Sequence, residues 1–309
     1  MSDAPHFHID LAAFWDDPYP ALAEMRRDCP IAYVPELDAT LLTRRDDIFR
    51  QEKRTDVFSS LQPGGLMTRL MGENMMRKDG AQHLAERKMI FPTVSPRTVR
   101  DVWKAQFEIA TREVLDQIAV QGQGDLVRDY AMPVSAHALR VITGLTNMDF
   151  AEMDRVSQGM IDGCSNFTGD PVLEARCNEC TASIDRHIDA RIGPLSEQPD
   201  LSLLSVAMRA GMPEEQFRAN IKLAISGGQN EPRDAIAGAI AALLDHPEQL
   251  QKVMQGDVTW LQVFEEYARW MSPIGMSPRR IAKWDTINGV TFEPEDRAFL
   301  MFASGNRDE

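Results

Sequence analysis

Cysteine is scarce in this sequence: Cys29, Cys164, Cys177 and Cys180 are all there is in 309 residues. That is too few for a dense disulfide framework and fits a reducing, cytoplasmic setting. The opening residues, MSDAPHFHIDLAAFWDDPYP, contain no basic stretch followed by an apolar one, so they do not read as a secretory signal. Long apolar runs are missing as well. The most apolar helical stretch is residues 235–244, flanked by Asp234 and Asp245. A membrane span needs about 20 apolar residues, so this stretch reads as a buried helix and no membrane partner is expected. Positive charge is in the minority, with 33 Lys and Arg against 47 Asp and Glu and a formal charge of −14. Such a field repels phosphate backbones, which argues against nucleic acid as a partner. There is no Walker loop, no dinucleotide glycine fingerprint, no nucleophile elbow and no second cysteine pair for zinc.

What is present is a globular composition, 43% hydrophobic and 26% charged. Helical periodicity dominates. Helices are predicted over 20–27, 43–49, 82–90, 96–120, 126–143, 148–162, 172–191 and 213–223, with Phe91-Pro92 interrupting one and Ser95-Pro96 capping the next. Short strands are predicted at 31–34 and 39–43, and again within 281–302. No repeat and no long polar linker appears, so the chain reads as one continuous, mainly α domain over 1–309 with a small β component. The stretch 61–76 is loop-rich, with Pro63, Gly64, Gly65 and Gly72. Its Met67, Met71, Met75 and Met76 suit either a ligand cover of adaptable thioethers or ordinary packing beneath a long loop.

The densest local chemistry lies in NIKLAISGGQNEPRDAIAGAIAALLD, residues 220–245, which is apolar on most of its circumference except at Gly227 to Pro232. Two readings of that interruption stand. One is a turn between two helices with Pro232 near the start of the second. The other is a continuous helix that bulges, because Pro232 cannot donate to the carbonyl of Gly228; Asn230 and Glu231 then add groups able to carry or relay protons. Elsewhere, His83 and Arg87 are four apart and share a helix face, a spacing that suits clamping an anion. Glu266 and Arg269 are three apart and pair along a helix. Cys177 and Cys180 sit in a helical pattern rather than after a strand, so they do not form a redox site, and no metal ligand set is legible.

Taken in order, these features resemble the cytochrome P450 family, soluble bacterial type. His83-x-x-x-Arg87 is similar to that family's heme-propionate pair. Gly227-Gly228-Gln229-Asn230-Glu231 stands where the family has small-Gly-x-acid-Thr. The run AGAIAALLDHPEQL resembles the continuation of the same helix, Glu266-x-x-Arg269 the family's buried pair, Arg280 a second propionate arginine, and ASGNRD the segment after the next strands. The resemblance covers nearly the whole chain and implies a P450-like fold, incomplete on the C-terminal side. It also implies a continuous, distorted helix through Gly227 to Pro232.

The parent activity so implied is heme-thiolate monooxygenation, inserting one oxygen atom of O2 into a small or medium apolar organic substrate. Heme b would be the cofactor and a ferredoxin or similar protein the electron donor. The implied catalytic residues are Gly228, Asn230 and Glu231; the implied cofactor-binding residues are His83, Arg87, Gly227, Gly228 and Arg280; Glu266 and Arg269 are structural. Two departures qualify this. Asn230 and Glu231 replace the acid–Thr pair, leaving Glu231 to relay protons. None of the four cysteines occupies the family's ligand position, which lies well after Asn306-Arg307-Asp308. A chain truncated before that loop is therefore expected not to hold thiolate-ligated heme. The alternative is a non-catalytic small-molecule-binding or structural relic, which would need a partner or a rearranged core to cover its apolar surface.

Overall fold

The computed structural model describes residues 2–309. In chain order the helices are α1 (Leu11–Asp16), α2 (Tyr19–Asp28), α3 (Arg45–Gln51), α4 (Leu66–Met71), α5 (Gly80–Val94), α6 (Pro96–Thr98), α7 (Lys104–Gln121), α8 (Met132–Thr143) and α9 (Phe150–Cys164). They continue with α10 (Pro171–Glu197), α11 (Leu203–Arg209), α12 (Glu214–Ser226), α13 (Asn230–Asp245), α14 (Pro247–Gln255), α15 (Trp260–Met271) and α16 (Phe302–Gly305). The strands are β1 (Ile31–Val34), β2 (Ala39–Leu42), β3 (Phe58–Ser59), β4 (Ser277–Ile281), β5 (Asp285–Ile287), β6 (Val290–Phe292) and β7 (Arg297–Leu300). The chain is thus predominantly helical with a small mixed sheet. Two compact units are resolved, Met1–Gln62 with His246–Glu309, and Pro63–Asp245. No helix among the described residues is long and apolar enough to cross a membrane.

In the first unit the strands run in the order β1-β2-β7-β4-β3, with β2 and β7 parallel and the other neighbours antiparallel. The period-2 alternation of a strand sorts their side chains onto two faces. Ile31, Tyr33, Leu42, Ala298 and Leu300 join Phe58 and Phe292 on one side. Ala32, Val34, Ala39, Leu41 and Phe299 meet Phe14 of α1 and Leu22 and Met25 of α2 on the other. Both faces are covered, so every residue of β1 and β2 is buried, Thr40 included. The sequence SPRRI of β4 has no such pattern, and β4 starts before the predicted strand region.

The second unit is a helical core drawn from α4, α5 and α8 to α12, including Met71, Ile90, Leu139, Met153, Ile184 and Ile221. Its closest helix pair is set by small residues. A Cβ built on Gly163 of α9 would lie 2.5 Å from the Cβ of Cys177, and one on Gly159 would collide with the sulfur of Cys180. The two glycines therefore let α9 and α10 approach until the buried cysteines fill the gap.

Several helices outrun their predicted ends. α5 continues through Pro92 and α10 through Pro194. In each the proline stands in the last turn, so one lost amide bond is tolerated. The carbonyls freed at the end of α5 are met from outside the helix: Thr98 Oγ1 donates to Pro92 O at 2.6 Å and Trp103 Nε1 to Thr93 O at 2.7 Å. The loop-rich stretch 61–76 holds α4 and the start of a tight 3-10 turn, Met75–Arg77.

The main correction concerns the apolar segment in residues 220–245. It is not one distorted helix. α12 ends at Ser226, three residues turn, and α13 begins at Asn230 with Pro232 in its first turn. The turn that local pattern allowed is the one formed. Proline belongs in a first helical turn, where its missing amide hydrogen has no partner to lose.

Gly163→Ala is expected to lower the thermal unfolding midpoint by an amount equivalent to about 1–3 kcal/mol, because a β-carbon cannot rotate out of the clash. Gly193→Ala, at a position of α10 with no atom within 4 Å of the added carbon, should instead raise it by the equivalent of about 0.5–1 kcal/mol. Scanning calorimetry on the two variants separates these signs.

Candidate functional site

The break between α12 and α13 concentrates buried polar groups, and its geometry follows from the carbonyls it frees. Gly227 N–H still reaches Leu223 O at 3.1 Å, but Gly228 N–H turns to Ile225 O at 3.4 Å instead of continuing the helix. The backbone folds back over its own last turn there. A Cβ on Gly228 would run into Ala224 O and lie 2.9 Å from Leu139 Cδ1, whereas one on Gly227 would find nothing nearer than 3.7 Å. Hydroxyls from neighbouring helices add a second donor to carbonyls that keep one amide each, Ile225 O from Gly228 and Gln229 O from Arg233 at 3.3 Å. Ser135 of α8 donates to Gln229 O at 2.8 Å, and Ser157 of α9 donates to Ile225 O at 3.1 Å.

The three side chains after the glycines form a polar array against α9. Gln229 is fully buried; its Nε2 donates to Asp154 Oδ1 at 3.3 Å and to Met132 O at 3.4 Å. Asp154 also receives Arg233 Nη1 at 3.1 Å. Asn230 donates to Gln158 Oε1 at 3.3 Å, and Gln158 donates onward to Asp162 at 2.7 Å. With both amide nitrogens committed to acceptors, the oxygens Gln229 Oε1 and Asn230 Oδ1 are left buried without a donor, as is Glu231 Oε2. Burial pushes the Glu231 carboxyl up from the usual carboxylate range and Asp234 adds to this, while Arg233 works against it.

His83 and Arg87 lie on α5 as their spacing predicts. His83 Nδ1 is 3.0 Å from Met75 O, while Arg87 is exposed and enters no ion pair among the described residues. In the other unit Arg280 is paired with Glu295 and donates from Nε to Leu61 O at 3.2 Å. Glu266 and Arg269 form a two-point pair at 2.6 and 2.7 Å. That pair is exposed rather than buried, with side-chain exposures of 65% and 47%. Arg269 holds the Glu266 carboxyl below its usual range. The guanidinium also donates to Asn306 O at 2.7 Å, tying α15 to the end of α16.

No model of a known protein family matches the chain. Proteins of known activity do. The chain is 25% identical to linalool 8-monooxygenase of Pseudomonas putida, over 94% of this chain and 77% of that protein. It is 21% identical to pulcherriminic acid synthase of Bacillus subtilis, over 98% of this chain and 76% of that one. Among solved structures, P450BioI in complex with an acyl carrier protein ligated to hexadec-9Z-enoic acid superposes with a TM-score of 0.86 at 20% identity, covering 97% and 80% of the two chains. CYP109E1 from Bacillus megaterium in complex with testosterone gives 0.84 at 17% identity, covering 94% and 77%. The chain has the cytochrome P450 fold.

In a P450 the likeness implies heme on a cysteine thiolate, and the thiols of this chain decide whether its own residues can hold one. Burial pushes Cys177 up to about 12 and Cys164 up to about 11, and raises Cys29 and Cys180 too. All four are protonated near neutrality, and Cys177 and Cys180 are enclosed between α9 and α10. Among the described residues no group of three His, Cys, Asp or Glu side chains is placed to hold a metal ion. The residues present therefore do not fit a thiolate-ligated heme. At Gly228, likewise, the space left by the missing side chain is occupied by Ala224 O and Leu139.

Several residues at this site were not singled out from the sequence. Ser135, Ser157, Asp154 and Gln158 lie on helices whose apolar spacing marks the core-facing stripe, and a polar residue on that stripe is the signal that finds them. Glu86 is the clearest case, four residues before the buried Ile90 and itself 5% exposed.

Gly228→Ala should destabilise the protein by about 1–3 kcal/mol through the clash with Ala224 and Leu139, while Gly227→Ala should be close to neutral; chemical denaturation of both variants checks the contrast. Glu231 sets a pH dependence. Its folded pKa is raised, so its contribution is fully present below the unfolded carboxylate pKa and is lost as pH rises through the folded value. Glu231→Gln, which mimics the protonated acid, should match wild type at about pH 4 and be the more stable of the two at about pH 8, read as unfolding midpoints across that range.

Proposed function

We propose that these 309 residues form the greater part of a P450 monooxygenase, one whose heme thiolate comes from polypeptide outside them. The complete enzyme would bind heme b, take electrons from a ferredoxin or similar protein, and insert one oxygen atom of O2 into a small or medium apolar organic substrate. The observation that carries this reading is the match in fold and order over 94–98% of the chain to P450 enzymes of which it spans 76–77%, combined with thiols that are all held protonated, Cys177 and Cys180 being buried as well. A second feature supports it. α15 has no buried residue, although Trp260, Leu261, Phe264, Trp270 and Met271 fall on one side of it. A face of that kind is suited to being covered by further chain.

On this reading His83, Arg87, Gly227 and Gly228 in one unit, and Arg280 in the other, are the residues available to the cofactor. Arg87 is the readiest, being an exposed and unpaired cation. Glu231 is the proton-holding group of the break; Gln229 and Asn230 are turned to Asp154 and Gln158 and do not titrate. Glu266 and Arg269 fasten α15 to the chain that follows β7. No catalytic step is assigned to the 309 residues alone.

Reconstituted with heme and reduced under carbon monoxide, the 309-residue chain should give no thiolate-type Soret band. Changing all four cysteines to alanine should leave its spectrum unaltered. A reading frame that continues into a glycine-containing cysteine loop should produce the band. A thiolate band from the short chain, abolished by any one cysteine change, would sink the reading. Absence of the band from a chain extended by such a loop would favour a non-catalytic relic of the family, a reading for which the filled space at Gly228 already speaks.

A further inference from the structure

Between His83 and Arg87, on the same helix, a buried ionic cluster converges on one short turn, and the proposed chemistry leaves it unused. Glu86 and Lys78 form an ion pair with both side chains 7% exposed. Asn220 of α12, 1% exposed, joins them: its Nδ2 donates to Glu86 Oε2 at 2.9 Å and its Oδ1 accepts from Met75 N–H at 2.9 Å. The Met75 carbonyl meets His83 Nδ1 at 3.0 Å. Asn74, fully buried, caps the same turn by accepting from Met76 N–H at 3.1 Å. The turn Met75–Arg77 is thus gripped by α5 and α12 through both its amide and its carbonyl, and through the lysine that follows it.

Each grip permits one arrangement. Glu86 only accepts and the Met75 amide only donates, so the Asn220 side chain cannot be reversed. An ionic cluster is also a poor way to gain stability in such a place, since well-packed apolar side chains often serve as well or better. What the cluster supplies is direction. It fixes where the segment 63–78 lies, and with it Met71 and Met75, whose side chains pack on the core of this unit.

We propose that Lys78, Glu86 and Asn220 form a positioning latch, which holds the segment 63–78 in one register against α5 and α12. If the sequence's reading of this segment as a ligand cover holds within the proposed function, the latch sets the register of that cover; the latch itself does not rest on that function.

The test uses the chain as it is and needs no heme. Hydrogen exchange read by mass spectrometry and trypsin cleavage at Arg69 and Arg77 are compared among four variants. Lys78→Met/Glu86→Leu removes both charges together, so no lone buried charge is left to unfold the protein. It should keep its global unfolding midpoint, yet exchange in peptides from 63–78 should quicken about ten-fold or more, with earlier cleavage, while peptides of α9 and α10 hold their protection. Lys78→Arg, which keeps the pair, should restore slow exchange. Asn220→Ala and Glu86→Gln should loosen the same peptides. Wild-type protection of 63–78 in the doubly apolar variant, or equal loosening of α9 and α10, would overturn the latch. Neither result bears on the carbon monoxide spectrum, so failure of the latch and failure of the monooxygenase reading are separate events.

Discussion

Pro232 has no amide hydrogen, and a buried carbonyl must have a donor; the arrangement between α12 and α13 depends on those two facts. If α12 ran on, the carbonyl of Gly228 would face the proline ring. The chain instead stops at Ser226, turns through Gly227, Gly228 and Gln229, and restarts so that Pro232 falls in a first helical turn. The exposed ends are then met by Ser135 and Ser157 from α8 and α9. Gly228 is required because the backbone doubles back on Ala224. The polar side chains that follow are placed by the same turn, so helix termination and the composition of the site have one cause.

Much of the architecture was legible in the sequence because the relevant forces are local. Period-3.6 patterning predicts the helices around α7 to α10 and α12, though not the short α11, and short apolar runs bounded by proline and aspartate predict β1 and β2. What was not legible is tertiary. β4 is a strand because it lies between β3 and β7, whatever its own residues prefer. Pro92 reads as an interruption and the helix before Pro194 as ending at residue 191, yet each proline falls in the last turn of its helix, where one amide can be spared. At Gly227 to Pro232, local chemistry and family resemblance gave opposite answers, and the local one describes this chain. The resemblance assumes an acid–Thr pair in a continuous helix; with Glu231-Pro232 the ring makes a restart more favourable. The ion pairs were hidden for a different reason: spacing predicts that Glu266 meets Arg269 but not whether anything covers them, and nothing in HLAERK says that Glu86 reaches Lys78.

Charge in this protein is placed in two distinct ways. Lys78 and Glu86 are enclosed and paired with each other, with Asn220 donating to the second oxygen of Glu86. Around Glu231 the match is incomplete, because Asp154 and Asp162 draw the amide nitrogens of Gln229 and Gln158 toward themselves, and the chain of donors running from Asn230 through Gln158 points the same way. Burial, with Asp234 beside it, favours a proton on Glu231. A satisfied cluster rigidifies and an unsatisfied one costs stability. At the turn Met75–Arg77 one buried amide nitrogen, that of Asn74, lacks an acceptor, whereas at the helix break three oxygens, Gln229 Oε1, Asn230 Oδ1 and Glu231 Oε2, lack donors, and only the break includes a carboxyl among them.

α15 sets the balance between what this chain holds and what it lacks. Its amino end is closed by a capping box from Thr259 and Gln262, and Glu266 braces it with Arg269. Its carboxyl end is fastened by Arg307, which donates to Trp270 O at 2.7 and 3.0 Å and lies 3.2 Å above the Tyr19 ring. These contacts fix the helix at its ends and leave its apolar side unused. Burying one large apolar side chain contributes about 1.5–3 kcal/mol, and Trp260, Leu261 and Phe264 are each more than half exposed. Several such residues on one side offer a covering segment more than an exposed ion pair could. The thiols enclosed between α9 and α10 cannot move to a heme without opening the packing that Gly159 and Gly163 make possible. Under the proposed function, a cysteine carried by polypeptide that covers α15 would need no such opening.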